Sequence, residues 1–199
     1  MISTLEGLLA SGDRIARIEA SVSGTLGYIC AALDEGFSFS AAQRRAHDLG
    51  YTEPDPRDDL NGLDAARKAL ILARRMGLPL ELGDVAVESL VPAGLESVVL
   101  DDFWAKLPQV DATYRERLEA ARKEGKVLRH VALIEDEQAS VGLHEVAADS
   151  PLGRLRGSDS IFIWHTTRYS STPLVVQGPG AGPQVTAAGV LADILSLAN

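Results

Sequence analysis

The sequence predicts an α+β domain in which helices pack on a mixed or antiparallel sheet. Two observations lead to this class. Apolar residues recur at helical spacing through most of the first 125 positions, and four strand-like segments then precede a closing helix. Helices and strands that are grouped in this way are typical of α+β domains. With 199 residues, 46% of them apolar, the chain has the size and core material of one domain.

Glycine, serine and proline mark the boundaries of the helices. Gly36 and Gly77 stand where a helix is expected to end, and Ser38 or Ser40 can cap the helix that ends near Gly50. Besides the helix that ends near Gly50, the predicted helices cover residues 3–11, 26–35, 63–76 and 111–125, with one or two further helical turns at 101–107. Two prolines forbid helix in the segment 51–62, which we expect to be an extended loop.

The strands are predicted from β-branched and aromatic residues between turn signals. They cover residues 14–22, 85–90, 126–135, 139–147, 160–167 and 173–177. A glycine-rich loop follows the last of them, and the final helix begins near Val185. No internal repeat or linker divides the chain, so residues 1–199 are expected to form a single domain.

Composition excludes several classes of function. The net charge of −9 argues against a nucleic-acid or anionic-membrane partner, because no basic stripe stands out. A single cysteine, Cys30, suits a reducing compartment, and no apolar run is long enough for a transmembrane helix. The N-terminus has no basic region of the kind that begins a signal peptide, so we expect a cytoplasmic protein. The four histidines lack metal-ligand spacing, which predicts no metal site.

The segment GYTEPDPRDDLNGLDAARKALILAR, residues 50–74, is the richest in functional groups. Four acidic side chains fall within seven positions: Glu53, Asp55, Asp58 and Asp59. A helix then begins with Asp64 and places Lys68 one turn later on the same face. Carboxylates on a rigid loop beside a lysine suit a site for a cationic or hydroxyl-bearing small molecule. The alternative is a solvated loop in which Asp59 or Asn61 caps the helix and Asp64 and Lys68 form an ordinary surface salt bridge.

Other candidates have structural explanations. The segment GPGAG before the last helix could present backbone N–H groups to an anion, but a tight strand-to-helix connection explains it as well. It lacks the G-x-G-x-x-G spacing of a dinucleotide-binding turn. The strand histidines are expected to be hydrogen-bonded structural residues, Cys30 a small buried hydrophobe, both tryptophans packing residues, and the charges at 111–125 a solvated helix face.

The segment 50–74 closely resembles the signature of homoserine dehydrogenases. The likeness continues in IEASVSGTLGYICAALDEGFSFSAA before it and in PLVVQGPGAGPQVTAAGVLADIL at the end, so it covers essentially the whole chain. The sequence looks most like the C-terminal, homoserine dehydrogenase part of bifunctional aspartokinase–homoserine dehydrogenases. Such a resemblance implies NAD(P)-dependent interconversion of L-homoserine and L-aspartate 4-semialdehyde, on the route from aspartate to threonine, isoleucine and methionine.

The resemblance also implies roles for particular residues. Glu53 and Asp64 would bind homoserine, Asp59 would support the site, and Lys68 would transfer the proton. The two glycines with implied roles are Gly50, beside the substrate, and Gly182, near the nicotinamide cofactor, NADP or NAD. Elementary chemistry agrees, since the substrate ammonium needs carboxylates and the alkoxide formed by hydride transfer needs a proton.

One departure from the family pattern sets an expectation about domains. Homoserine dehydrogenases carry a Rossmann half with its glycine-rich turn before this region, and this sequence has none. We therefore expect a catalytic and dimerisation domain whose nucleotide-binding domain is missing, with an aspartokinase domain as a further candidate for a missing part. On its own it would be inactive, and its sheet would form a homodimer. The alternatives are a non-catalytic dimerisation or homoserine-binding module of the same fold, or a related amino-acid dehydrogenase.

Overall fold

The computed structural model describes residues 1–197. Its eight α-helices are α1 (Ile2–Ala10), α2 (Gly24–Asp34), α3 (Phe39–Asp48), α4 (Arg57–Leu60), α5 (Leu63–Arg75), α6 (Leu100–Lys106), α7 (Asp111–Lys123) and α8 (Pro183–Leu197). Its six strands are β1 (Ile15–Ser21), β2 (Ala86–Val87), β3 (Lys126–Glu135), β4 (Gln138–Ala147), β5 (Asp159–Thr166) and β6 (Leu174–Pro179). Short 3₁₀ helices lie at Leu82–Asp84 and Leu107–Val110.

The strands form one six-stranded sheet in the order β2-β4-β3-β1-β5-β6. Every pair is antiparallel except β2 with β4, which is parallel, so the sheet is mixed. This arrangement confirms the predicted α+β class. The early strand β1 lies in the centre, between β3 and β5, and joins the helical first half of the chain to the strands of the second half.

Helices cover one face of the sheet. Alternate residues of β1, β3 and β5, such as Ile18, Ala132 and Trp164, point to that face and pack with the alanine-rich side of α5. The other hydrophobic cluster on this side joins α2, α3, α6 and α7 to β3. On the opposite face, Leu152 and Leu155 from the β4–β5 connection cover part of the sheet. The rest of that face carries charged residues and histidines together with apolar residues such as Leu133.

Two of the predicted elements differ from those observed. The loop 51–62 contains the short helix α4, because Pro56 stands at its N-cap position with φ −65° and ψ −13°, where proline is compatible with helix. The strand predicted at 85–90 is paired only at Ala86 and Val87. The Glu88 carboxylate accepts the N–H of Leu143 at 2.8 Å, so a side chain continues the contact with β4 beyond the backbone pairing.

The helix caps follow the sequence for the most part. Ser38 Oγ accepts the N–H of Ala41, and Gly36 ends α2 with φ +96°. Neither residue predicted to cap α5 is its N-cap, which is Gly62 with φ +73°, although Asn61 Oδ1 accepts the N–H of Leu63, the first residue of the helix, at 2.8 Å. Asp59 has another partner.

The prediction of a solvated charged face on α7 is wrong for three side chains. Asp111 accepts the N–H and hydroxyl of Ser40 at 2.8 and 2.7 Å. Arg117 donates to Glu88 and to the carbonyl of Leu143, and Arg122 donates to the carbonyl of Asp34. These bonds attach α7 to α3, to β4 and to the end of α2.

No helix within residues 1–197 is long and apolar enough to cross a membrane. Within the same residues, no group of three or more histidine, cysteine, aspartate or glutamate side chains is placed to hold a metal ion.

Candidate active site

One cleft of about 610 Å³ brings together all six residues to which the family resemblance assigns a role. It lies at the end of the sheet where β1 and β6 finish and β5 begins. The six residues in its lining are Gly50, Glu53, Asp59, Asp64, Lys68 and Gly182. They come from the acidic loop, from α5 and from the segment before α8, which are far apart in the sequence.

Lys68 is held by two acceptors. Its Nζ lies 2.7 Å from Asp64 Oδ2, one helical turn earlier on α5, and donates to the carbonyl of Val22 at 3.0 Å. An ammonium group has three N–H donors, so within the described residues one donor is left to point into the cleft. Both side chains of the pair are about half exposed, and such a pair contributes only about 0.3–0.5 kcal/mol to stability. Its effect is to orient the ammonium.

Asp59 organises the acidic loop. Its Oδ2 accepts the backbone N–H of Glu53 at 2.8 Å. A second bond attaches the same loop to α2, since the hydroxyl of Thr25 donates to the carbonyl of Tyr51 at 2.6 Å. Burial raises the pKa of the Asp59 carboxyl above its usual value, and the hydrogen bond from the Glu53 N–H acts in the opposite direction. The Glu53 side chain is left exposed at the mouth of the cleft.

The other two carboxylates of the loop do not line the cleft. Asp55 pairs with Arg57, with Oδ2 2.6 Å from Nη2, and Asp58 is exposed on α4. Helix α4 explains the separation, because it turns the chain and directs successive side chains to different sides. The acidic loop therefore supplies two carboxylates to the cleft, fewer than its composition indicated.

The glycine-rich segment contributes bare backbone. A Cβ atom at Gly180 would lie 2.1 Å from Ser160 Oγ, so no larger residue fits there without a shift. Gly182 has φ +122°, a conformation that side chains rarely adopt, and precedes the first residue of α8. Bare backbone of this kind lets a flat ligand approach the chain closely. A dinucleotide has no G-x-G-x-x-G turn to hold it in this chain.

Several residues of the cleft were not among those predicted from the sequence. The lining also includes Ser23, Gly24, Thr25, Tyr51, Ser158, Pro179, Gly180 and Ala181. Ser158 reaches the cleft because the residues before β5 lie beside the start of α2, where a Cβ at Gly24 or Gly27 would make an ordinary contact of 3.5 Å with a carbonyl oxygen of residues 157–158. The S-G-T sequence at 23–25, where β1 passes into α2, is the local signal for this part of the cleft.

The residues interpreted as structural have mixed outcomes. Cys30 is buried, and burial raises its pKa to about 11, which fits an inert packing residue. Trp164 is fully buried, and Trp104 packs against Phe103 and Arg44. His165 contacts Glu19 at 3.1 Å. The expectation of a hydrogen-bonded histidine is wrong for Nε2 of His130, which is buried without a partner among the described residues.

The fold and the cleft together define the class of protein. A cleft of this size with a few convergent polar groups is typical of a small-molecule site. A family model described as homoserine dehydrogenase matches residues 1–195. The chain belongs to the homoserine dehydrogenase family.

Relatives with curated names agree. The chain is 47% identical over 202 residues to bifunctional aspartokinase/homoserine dehydrogenase 1, chloroplastic, of Zea mays, with all of this chain and 22% of that protein covered. It is 44% identical over 210 residues to the homoserine dehydrogenase of Emericella nidulans, of which it covers 57%. The chain thus spans about a fifth of the plant protein and just over half of the fungal one.

Solved structures share the fold. A Candida auris protein of unknown function superposes with a TM-score of 0.95 at 43% identity, with all of this chain and 57% of that one covered. A hyperthermophilic archaeal homoserine dehydrogenase mutant, solved in complex with NADPH, has a TM-score of 0.70 at 30% identity, with 98% of this chain and 50% of that one covered.

Proposed function

We propose that this chain is the catalytic domain of an NAD(P)-dependent homoserine dehydrogenase that interconverts L-homoserine and L-aspartate 4-semialdehyde. The observation that carries the proposal is the meeting of Glu53, Asp59, Asp64 and Lys68 in one cleft. Their chemistry matches a substrate that has an ammonium group at one end and a hydroxyl or aldehyde at the other. The reaction would serve the biosynthesis of threonine, isoleucine and methionine.

The carboxylates bind the substrate in this proposal. Glu53 and Asp64 are the acceptors for its polar groups, and the α-ammonium is attracted to the exposed Glu53 carboxylate. Asp59 fixes the position of Glu53 through the backbone N–H that it accepts. Gly50 stands beside the substrate, where a side chain would reduce the space.

Lys68 transfers the proton. In aldehyde reduction its ammonium donates a proton to the substrate oxygen as a new C–H bond forms, and in alcohol oxidation the amine accepts the hydroxyl proton. Asp64 and the carbonyl of Val22 direct Nζ in both directions of the reaction. A bound NADP or NAD would supply or accept the hydride, with its nicotinamide beside Gly182.

A second domain completes the cofactor site in our proposal. The bare backbone at Gly180 and Gly182 contacts only the reacting ring in this proposal, and the second domain holds the rest of the cofactor. Helix α8 has no buried residue, and it exposes apolar side chains that include Val190, Leu191 and Ile194. An apolar helix beside the cleft is a natural contact for a nucleotide-binding domain. An aspartokinase domain is a further partner, as in the plant relative's name.

We also propose a homodimer formed through the sheet, in the cytoplasm. The face of the sheet opposite the helices has a cavity of about 350 Å³ whose lining includes Arg17, Glu19, Leu133 and His165. A second copy would cover this face. Sedimentation at several protein concentrations tests the dimer, and a monomer at all of them contradicts it.

Turnover assays test the function. The complete enzyme is expected to oxidise homoserine with NADP or NAD and to reduce aspartate 4-semialdehyde with the reduced cofactor. The 199-residue chain alone is expected to show little or no activity, and robust NADPH oxidation by it would refute the two-domain arrangement. Calorimetry with homoserine identifies the alternative, a module that binds but does not turn over, and a panel of amino alcohols tests for a related dehydrogenase.

A further inference from the structure

Asp55 is a carboxylate of the acidic loop that the cleft does not use. It faces Arg57, whose Nε lies 2.9 Å from Oδ1 and whose Nη2 lies 2.6 Å from Oδ2. The backbone N–H of Arg57 donates to the same carboxylate at 3.0 Å. The hydrogen bond to Arg57 lowers the pKa of Asp55, so the pair stays ionised across the neutral range.

The remaining nitrogen of the guanidinium reaches a distant segment. Arg57 Nη1 donates to the carbonyls of Leu95, Glu96 and Val98 at 3.2, 3.3 and 2.7 Å. Its Cζ lies 5.5 Å from the ring centroid of the fully buried Phe103. Arg57 therefore joins the acidic loop to a segment about forty positions later, and its fork shape is what allows both contacts at once.

We propose that Arg57 is a positioning residue, which fixes the carboxylates of Glu53 and Asp59 relative to Lys68. Glu53 lies two positions before Asp55, Asp59 lies two positions after Arg57, and the bond from the Glu53 N–H to Asp59 closes the loop. Displacing this loop would move both carboxylates while leaving Lys68 in place on α5. The inference rests on the proposed function and adds a residue that does not itself contact substrate.

The test compares two arginine-to-lysine variants of the complete enzyme. Arg57→Lys keeps the charge but loses the fork, and Arg74→Lys is the matched control. Arg74 makes the same kinds of contact, from Nε to the carbonyl of Leu80 at 2.9 Å and from Nη2 to Glu81 at 2.6 Å, but does not line the cleft. For Arg57→Lys we expect the KM for homoserine to rise about tenfold or more, since small displacements of binding groups are costly. The kcat and the KM for the cofactor stay within about threefold, and the control is unchanged.

Two results would overturn the inference. One is an equal homoserine KM in both variants, and the other is a parallel loss of kcat, cofactor binding and melting temperature, which would indicate a purely structural role. Hydrogen exchange supplies a readout that needs no substrate: amides of residues 51–60 should exchange faster in Arg57→Lys than in Arg74→Lys. Unchanged exchange rejects the positioning role even if the enzyme proves inactive on homoserine, whereas inactivity of the unmodified enzyme rejects the proposed function.

Discussion

Lys68 and Asp64 form an ion pair of 2.7 Å one turn apart on α5, and the pair lies at the wall of the cleft. A second pair with the same spacing, Lys106 and Asp102 at 3.2 Å, lies on α6 outside the cleft. The two pairs are similar as surface electrostatics. They differ in what surrounds them, which makes the second a control for the first.

Replacing Lys68 by alanine should slow the chemistry more than it weakens substrate binding. We expect the kcat of the complete enzyme to fall by about 10²- to 10⁴-fold, the usual contribution of a general acid or base, while the KM for homoserine changes much less. Steady-state kinetics measures both. Lys106→Ala should leave both constants unchanged. A near-normal kcat in Lys68→Ala would show that the proton transfer is assigned to the wrong residue.

Glu53 and Asp58 should differ in their effect on substrate binding. Glu53 lines the cleft, whereas Asp58 is exposed on α4 outside it. Loss of a charged hydrogen-bond acceptor for the substrate ammonium costs about 1.5–3 kcal/mol, so Glu53→Gln should raise the KM for homoserine roughly tenfold or more. Asp58→Asn removes a charge of the same sign nearby and should change it little. Equal effects of the two variants would mean that only the overall negative potential matters.

Gly62 should tolerate alanine less well than Gly77 does. Both have left-handed backbone conformations, with φ +73° and +89°, and alanine at either costs about 1 kcal/mol. A Cβ at Gly62 would also lie 3.1 Å from Val87 Cγ1, whereas nothing lies within 4 Å of one at Gly77. Chemical denaturation should therefore show a larger loss for Gly62→Ala. Because Gly62 precedes α5, this variant alone should also lower activity, and equal losses would contradict the contact with Val87.

His130 should make the protein sensitive to mild acid. Burial lowers its pKa from 6.5 to about 4, so the unfolded chain takes up a proton at a higher pH than the folded chain does. Above pH 6.5 this group leaves the free energy of unfolding unreduced, and as the pH falls towards 4 the free energy of unfolding decreases by about 3 kcal/mol. Urea titrations of His130→Leu should show a smaller decrease over this interval. His47→Gln, a change at a partly exposed histidine, should keep the decrease of the parent protein.

Local chemistry explains why the sequence predicted most of the elements correctly. Gly36 and Ser38 act within one turn of their own positions, and five consecutive residues of β3 are buried, as expected for a strand in the centre of a sheet. The errors have local causes as well. Proline also fits the start of a helix, so Pro56 begins α4 where an extended loop was predicted. The strand predicted at 85–90 is longer than β2, because its apolar residues face the core without pairing.

The candidate site was also predicted in part from the sequence. The six predicted residues came from one signature and one glycine-rich segment, and the structure places them all in the lining of one cleft. Ser158 could not be predicted, because only the pairing of β5 with β1 brings the residues before β5 to the start of α2. The separate role of Asp55 could not be predicted either, since its partner Arg57 is oriented by carbonyl groups about forty positions away.

The sequence by itself determined the class of fold, the positions of most helices and strands, and the family, because these depend on periodicity, on capping residues and on a long specific motif. Only the tertiary structure decided which acidic side chains share a cleft with Lys68 and which hold the loop in place. The physical reason is that a carboxylate's partner is chosen by distance in space. In a chain folded round a central β1, groups more than a hundred positions apart come within contact distance of one another.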